Sequence, residues 1–512
     1  MSRASLLQPG RTPLALPRAE WWALAALYIA AFALRWIIRA SQPYTAEASH
    51  FAVSLGLWDG TTNIGSLHDV PHEDFSWFFW QRPLLTLPFW PFAHMGFEAY
   101  RTAHILLTSA LAPLAVLLLR QLGTARPYAY AAGAVLLLHP ALLPWTVIVL
   151  PDAMVALATI GALLLAHHGR LGWAAVVCLA AGWIKEVAFV TPLVLAALVI
   201  LRHGTERPWL APRLRDPDAR RFLLAAALCF LPLLFSLTRP GAVFPGFRYG
   251  VELPITLERQ FLLVWLAPVA LAALLRPATR RLALVALAWP AFFIAYTLVT
   301  GKAIEIWYNV VPATMTAVAA AACLGVPPER PTPVPRPWAP FIGLALALLL
   351  IGQVTLEQGD PLQRAALTPL SGTGQWNLQQ VLDHEKEREL DLVAAMASIP
   401  ADRRAGWMVL DMDWSLVMHP VAARVDRVYK EYTPDGEWPD DFLRWWDDAI
   451  QNRTDATLVR KQAWPVNQAI RDGYAPCAAE FGNYVAIVPG PACRDRWDEM
   501  VVAMRAAQNP PA

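Results

Sequence analysis

Charge is scarce in this chain. Of its 512 residues 16% are charged, whereas 56% are hydrophobic. Soluble domains carry charge on roughly a quarter of their residues, and a mean hydropathy of +0.37 excludes that class here. The charge that exists is balanced, at net +2, so no basic surface for nucleic acid is implied. Cysteine is also sparse, at five residues, too few for a disulfide-built scaffold. Cys178, Cys229 and Cys323 lie inside apolar runs and read as small, inert hydrophobes. A Gly-rich phosphate loop is missing: the SGTG run at Ser371 does not stand between a strand and a helix. No internal repeat is present, and transporters built from related halves would show one. Nor does a small-residue cleavage site follow the basic N-terminus, so the first apolar run reads as an uncleaved span.

What the chain has in abundance is apolar runs and tryptophan, 23 in all. A bilayer core of ~30 Å needs ~20 apolar residues per helix. That ruler predicts spans near 21–40, 102–119, 128–149, 152–166, 222–237, 260–275, 282–299, 308–324 and 341–354. The tract 171–201 decides the parity, because Lys185 and Glu186 interrupt it. As one span it would put a loop holding Arg202, Arg207, Arg213, Arg215, Arg220 and Arg221 outside, against the positive-inside rule. As two short helices meeting near Lys185, it puts that loop inside. Two spans give about eleven in total, with the N-terminus cytoplasmic and the C-terminus outside. The abundant tryptophans suit two membrane interfaces.

The domain division expected is therefore a transmembrane domain over 1–356, with an outer loop at 41–100, followed by an extracytoplasmic domain over 357–512. The latter reads as a small α/β domain. Helical periodicity marks 381–399, 439–450 and 466–474, and strands are predicted at 407–410 and 456–459, with a tight turn over 481–484 between two short strands. Asp411 and Asp413 at a strand end read either as site residues or as a solvated turn. Cys477 and Cys493 would meet an oxidising compartment, where a disulfide between them is expected.

Most of the unusual residues of the membrane part collect on the outer side. Glu47 follows Thr45, a helix-capping residue, just past the first span. It suits either the positive end of a helix or a desolvated carboxylate able to take a proton from a hydroxyl. His68, Asp69, His72, Glu73 and Asp74 are the densest cluster of potential metal ligands. Pro71 keeps them off one continuous helix, so a divalent metal held by His72, Glu73 and Asp74 and a solvated polar loop both stand as readings. An aromatic stretch follows that suits an interfacial helix, and within it Arg82 can grip a phosphate or snorkel. Lys185 at the helix junction is either a functional cation or the ion-pair partner of Glu186. Asp152 opens a helix and reads as a site acid or a cap. Arg248, Lys302, Glu305 and Tyr308 complete the outer rim.

In order and spacing these residues resemble the GT-C-fold glycosyltransferases of the protein O-mannosyltransferase and lipid-A aminoarabinose transferase type. Those enzymes open their outer loop with an aromatic and an Asp-Glu pair before a small-residue helix, here PYTAEASHFAVSLGLWDG. A basic-Pro-Pro-Leu element follows, here Gln81-Arg82-Pro83-Leu84, then a helix opening Leu150-Pro151-Asp152. A glycine-containing span ends in lysine, here AAGWIKE with Lys185, and a late helix begins near Tyr308 and Pro312. The family's first acid falls on Ala46, so Glu47 or Asp59 would have to act in its place.

The resemblance implies a GT-C-like helical membrane protein, an enzyme of the bacterial cytoplasmic membrane and cell envelope, that transfers a sugar from a polyprenyl-phosphate donor to an acceptor hydroxyl on a lipid, glycan or protein, with inversion. Glu47 would be the catalytic base, while Arg82 and Lys185 would hold the donor phosphate, with Asp152, Tyr308, Lys302 and Arg248 lining the site. An inactive GT-C-like scaffold and a membrane transporter are the competing readings.

Overall fold

The computed structural model describes residues 15–38, 51, 54, 82–138, 142–201, 216–232, 234, 267–300, 308, 310–326, 391, 394–395, 398, 405–409, 425–429, 456–460, 478–482 and 484–487. The chain divides into two compact units. One comprises Met1–Arg39 and Trp77–Gln379, the other Ala40–Ser76 and Gln380–Ala512.

The first unit is helical. Its helices are α1 (Arg18–Ile38), α2 (Pro83–Thr86), α3 (Trp90–Ala93), α4 (Phe97–Thr108), α5 (Leu111–Gln121), α6 (Arg126–Leu138), α7 (Leu143–Val147), α8 (Pro151–His167), α9 (Leu171–Ile184), α10 (Val190–Leu201), α11 (Pro217–Leu228), α12 (Ala267–Ala272), α13 (Pro277–Thr300) and α14 (Val310–Gly325). Among the described residues three stretches are long and apolar enough to cross a membrane: Arg18–Ile37, Phe97–Gln121 and Pro277–Val299. Shorter apolar helices cover Pro151–His167, Leu171–Ile184, Glu186–Leu201 and Val310–Gly325.

Prolines set several of the breaks. Pro113 lacks the N–H that would bond the carbonyl of Ser109, and α4 gives way to α5 through a turn at Ser109–Ala110. Pro192 likewise denies Ala188 a helical bond, and the chain enters α10 through a 3-10 turn at Glu186–Phe189. The span expected over 128–149 instead ends as a helix at Leu138, and α7 follows as a separate piece. Pro144 falls in the first turn of α7, where a missing N–H is tolerated.

Packing in this unit relies on small residues. Helix α14 is buried along nearly its whole length and consists largely of Ala, Val, Thr and Gly. Such side chains let helices approach closely where lipid supplies no hydrophobic drive for association. Gly182 on α9 shows how closely: a Cβ there would stand 2.1 Å from Cys229 Sγ on the segment following α11. Cys178, Cys229 and Cys323 are buried and free, as expected of small core hydrophobes. Near the start of α1, Glu20 is held between Arg120, in close contact, and Arg126 Nη2 at 3.4 Å, which ties α1 to α5 and α6.

The second unit carries a five-stranded sheet of order β2-β1-β3-β5-β4. Its strands are β1 (Ala405–Val409), β2 (Val425–Tyr429), β3 (Ala456–Arg460), β4 (Ala478–Phe481) and β5 (Tyr484–Ile487). β1 pairs in parallel with β2 and β3, and β5 runs antiparallel between β3 and β4. The strands predicted at 407–410 and 456–459 and the turn over 481–484 are present, whereas β2 has no counterpart in the sequence reading. Gly482 makes the turn at φ 51°, a conformation that glycine adopts without steric cost. Asp411, Asp413, Cys477 and Cys493 lie outside the described residues.

Candidate functional site

The junction of α9 and α10 gathers the cations and acids. Lys185 follows α9 in an extended conformation, φ −157° and ψ 125°, which stops the helix and turns the chain into the 3-10 segment. Helix α8 begins nearby with Leu150 as N-cap and Pro151 in the first turn. Asp152 makes no capping bond. Its carboxylate instead accepts two bonds from Lys185 Nζ, at 2.8 Å to Oδ1 and 2.9 Å to Oδ2. Both side chains are fully enclosed, at 1% and 2% exposure. The same Nζ lies 3.4 Å from the centre of the Tyr308 ring, and Tyr308 stacks on Phe293 of α13 at 5.7 Å. An ammonium has three N–H donors, so two serve the carboxylate and the charge also rests against an aromatic face.

Arg82, the residue before α2, adds the second cation. Its Nε lies 3.7 Å from Glu186 Oε2, a looser pair with 15% and 20% exposure. The charges of Arg82 and Glu186 are felt at Asp152, Lys185 and the Tyr308 phenol, so the five groups form one electrostatic unit. Lys185 therefore pairs with Asp152, and its sequence neighbour Glu186 with Arg82. Two cations and two carboxylates sum to zero charge, which is how a low-dielectric interior tolerates them. An arriving anion would meet Arg82, the more exposed cation, and would compete with Asp152 for the Lys185 ammonium.

Of the residues singled out in the sequence, Arg82, Asp152, Lys185 and Tyr308 thus come together. Glu47, Arg248, Lys302 and the metal-ligand candidates His72, Glu73 and Asp74 lie outside the described residues. Among the described residues no group of three or more His, Cys, Asp or Glu could hold a metal ion. Sequence reasoning missed Glu186 as the partner of Arg82 and Phe293 as the platform for Tyr308. Neither leaves a local signal, because both contacts join segments far apart in the chain.

Residues 83–208, which hold Asp152, Lys185 and Glu186 and begin just after Arg82, match the family of dolichyl-phosphate-mannose-protein mannosyltransferases. No curated protein matches the chain. Among solved structures it is similar to ArnT from Cupriavidus metallidurans in the apo state, with a TM-score of 0.55 at 15% sequence identity, over 93% of this chain and 100% of that one. ArnT from the same organism bound to undecaprenyl phosphate gives a TM-score of 0.55 and 15% identity, over 93% of this chain and 99% of that one. The fold is thus that of ArnT, and the resemblance read from the sequence, to the GT-C membrane glycosyltransferases, is upheld.

Proposed function

We propose that this chain transfers a sugar from a polyprenyl-phosphate-linked donor to an acceptor hydroxyl at the outer face of a bacterial cytoplasmic membrane. The reading includes about eleven spans, a cytoplasmic N-terminus and an extracytoplasmic C-terminal region. The observation that carries it is the enclosed Arg82–Glu186 and Lys185–Asp152 cluster against Tyr308, within and beside the segment matching the mannosyltransferase family. The ArnT structure with undecaprenyl phosphate supports a polyprenyl-phosphate carrier.

The chemistry follows from charge. A sugar phosphodiester donor carries one negative charge, and its departing polyprenyl phosphate gains a second as the bond between sugar carbon and phosphate oxygen breaks. Arg82 and Lys185 stabilise that developing charge, an effect greatest in a dry, preorganised site. The acceptor oxygen attacks the sugar carbon from the opposite side, inverting it, and its proton passes to a carboxylate, for which Glu47 is the candidate. Arg248 and Lys302 are proposed as further donor contacts. A divalent metal held by His72, Glu73 and Asp74 is a further part of the reading. The acceptor is a lipid, glycan or protein hydroxyl.

The decisive experiment assays purified protein for turnover of polyprenyl-phosphate sugars, beside Glu47→Gln and Lys185→Met. Turnover by the wild type and its loss in both variants is the expected result. Unchanged turnover in Glu47→Gln removes that residue from the mechanism. No turnover by the wild type with any such donor favours a scaffold, in keeping with Ala46 at the family's first acidic position.

A further inference from the structure

A second buried cation stands apart from the Lys185 cluster. Arg35, in the last turn of α1, has no exposed surface. Its Nη1 donates to Ser109 Oγ at 3.4 Å, while Nε and Nη2 have no hydrogen-bond partner among the described residues. Ser109 lies at the break between α4 and α5, and its hydroxyl proton is engaged by the Ile105 carbonyl at 2.6 Å. Helix α4 adds Arg101, 1% exposed, and His104, fully buried. The charges of both arginines act on His104, and among the described residues no carboxylate acts on Arg35. Glu98 comes no closer than 4.0 Å to Arg101 Nη1 and is itself 52% exposed.

The imidazole sharpens the picture. His104 Nε2 lies 3.4 Å from the Leu150 carbonyl, which can only accept, so Nε2 carries the proton. Nδ1 is then a bare acceptor, and among the described residues it has no partner. Two guanidinium nitrogens, with three N–H groups between them, and one acceptor nitrogen are therefore buried and unused among the described residues. A buried charge without a counter-charge is strongly unfavourable, and a planar guanidinium fork fits the oxygens of phosphate in two parallel bonds.

We propose that Arg35, Arg101 and His104 form a site for a phosphomonoester, distinct from the Arg82–Lys185 cluster. The mono-protonated phosphate supplies what the site lacks: oxygens to accept from Arg35, and a P–O–H to donate to His104 Nδ1. Sulfate brings the oxygens without the proton. Ile29 and Ile37, on other faces of α1, are exposed, a surface suited to lipid, so the phosphate headgroup of a membrane lipid is the source favoured over free phosphate. The inference does not depend on sugar transfer.

The test follows thermal unfolding of the purified full-length protein by tryptophan fluorescence. The probes are short-chain phosphatidic acid, inorganic phosphate, diacylglycerol and sulfate. Phosphatidic acid is expected to raise the melting temperature of the wild type and of Lys185→Met, with no response to diacylglycerol and a weaker one to sulfate. Arg35→Met is expected to melt no lower than wild type without ligand and to bind phosphatidic acid at least about tenfold more weakly, the cost of lost charge-assisted bonds. An Arg35-dependent response to inorganic phosphate alone would support the site and identify free phosphate as its ligand. An undiminished response in Arg35→Met, loss of response in Lys185→Met, or sulfate acting as well as phosphate would each overturn it. Should Arg35→Met not fold, Arg35→Lys decides, since it keeps the charge and loses the fork. A weakened response supports the site, and an undiminished one overturns it.

Discussion

Lys185 and Arg35 are both fully buried cations in the helical unit, and they are buried on opposite terms. Lys185 has a carboxylate at 2.8 Å and an aromatic face at 3.4 Å. Among the described residues Arg35 has one hydroxyl and two unused donor nitrogens. The first arrangement is complete without a ligand, and any anion must displace Asp152 to reach the ammonium. The second is incomplete until something anionic arrives. Burial alone therefore says little about a charged side chain; the counter-charge decides whether it holds the fold together or waits for a partner.

Breaking the Lys185 pair tests this most severely. Lys185→Met leaves Asp152 buried and uncompensated, and should cost about 3–5 kcal/mol of stability. Asp152→Asn should cost a comparable amount, and a Lys185→Met/Asp152→Leu double variant less than the sum, as measured by denaturation of the purified protein. If the donor phosphate is held there, Lys185→Met also lowers turnover by about 10²- to 10³-fold. Arg35→Met should not destabilise the ligand-free protein, and equal destabilisation by the two methionine variants would erase the contrast.

Effects on the frame around the Lys185 cluster should be smaller. Gly182→Ala places a Cβ 2.1 Å from Cys229 Sγ, and overpacking of this kind costs about 1–3 kcal/mol. Adding Cys229→Ala should restore only part of that loss, because the Cys229 Cβ remains 2.4 Å away. Tyr308→Leu removes the aromatic face from Lys185 and should cost about 0.5–2 kcal/mol, whereas Tyr308→Phe keeps the ring and should melt close to wild type. Asp216 caps α11 by accepting from the backbone N–H of Asp218 and Ala219. Asp216→Ala should cost about 1 kcal/mol and leave both cation sites unaltered, which makes it the control.

Much of the site was legible in the sequence because each member breaks an apolar pattern. Lys185 and Glu186 interrupt a long hydrophobic tract, Asp152 follows a proline at a helix start, and Arg82 precedes Pro83. A charge in such surroundings is costly enough to attract notice by itself. The pairing was not legible. Adjacency suggested Lys185 with Glu186, yet the extended backbone at Lys185 separates the two, and each finds its partner on another segment. Arg35 drew no notice, since an arginine near the end of a first span reads as an ordinary flanking charge. The short strand β2 escaped for a related reason: VDRVY is too brief and too polar to stand out.

The sequence by itself determined that this is an apolar, helix-built membrane chain, that a helix breaks at Lys185, and which ionisable residues interrupt the apolar runs. Those properties depend on local composition, on proline's missing N–H and on the cost of charge in an apolar run, all of which act along the chain. Only the tertiary structure decided which charges neutralise one another. Asp152 reaches Lys185, Arg82 reaches Glu186, and Arg35 reaches neither acid, because Coulomb energy depends on distance through space and not on separation in sequence.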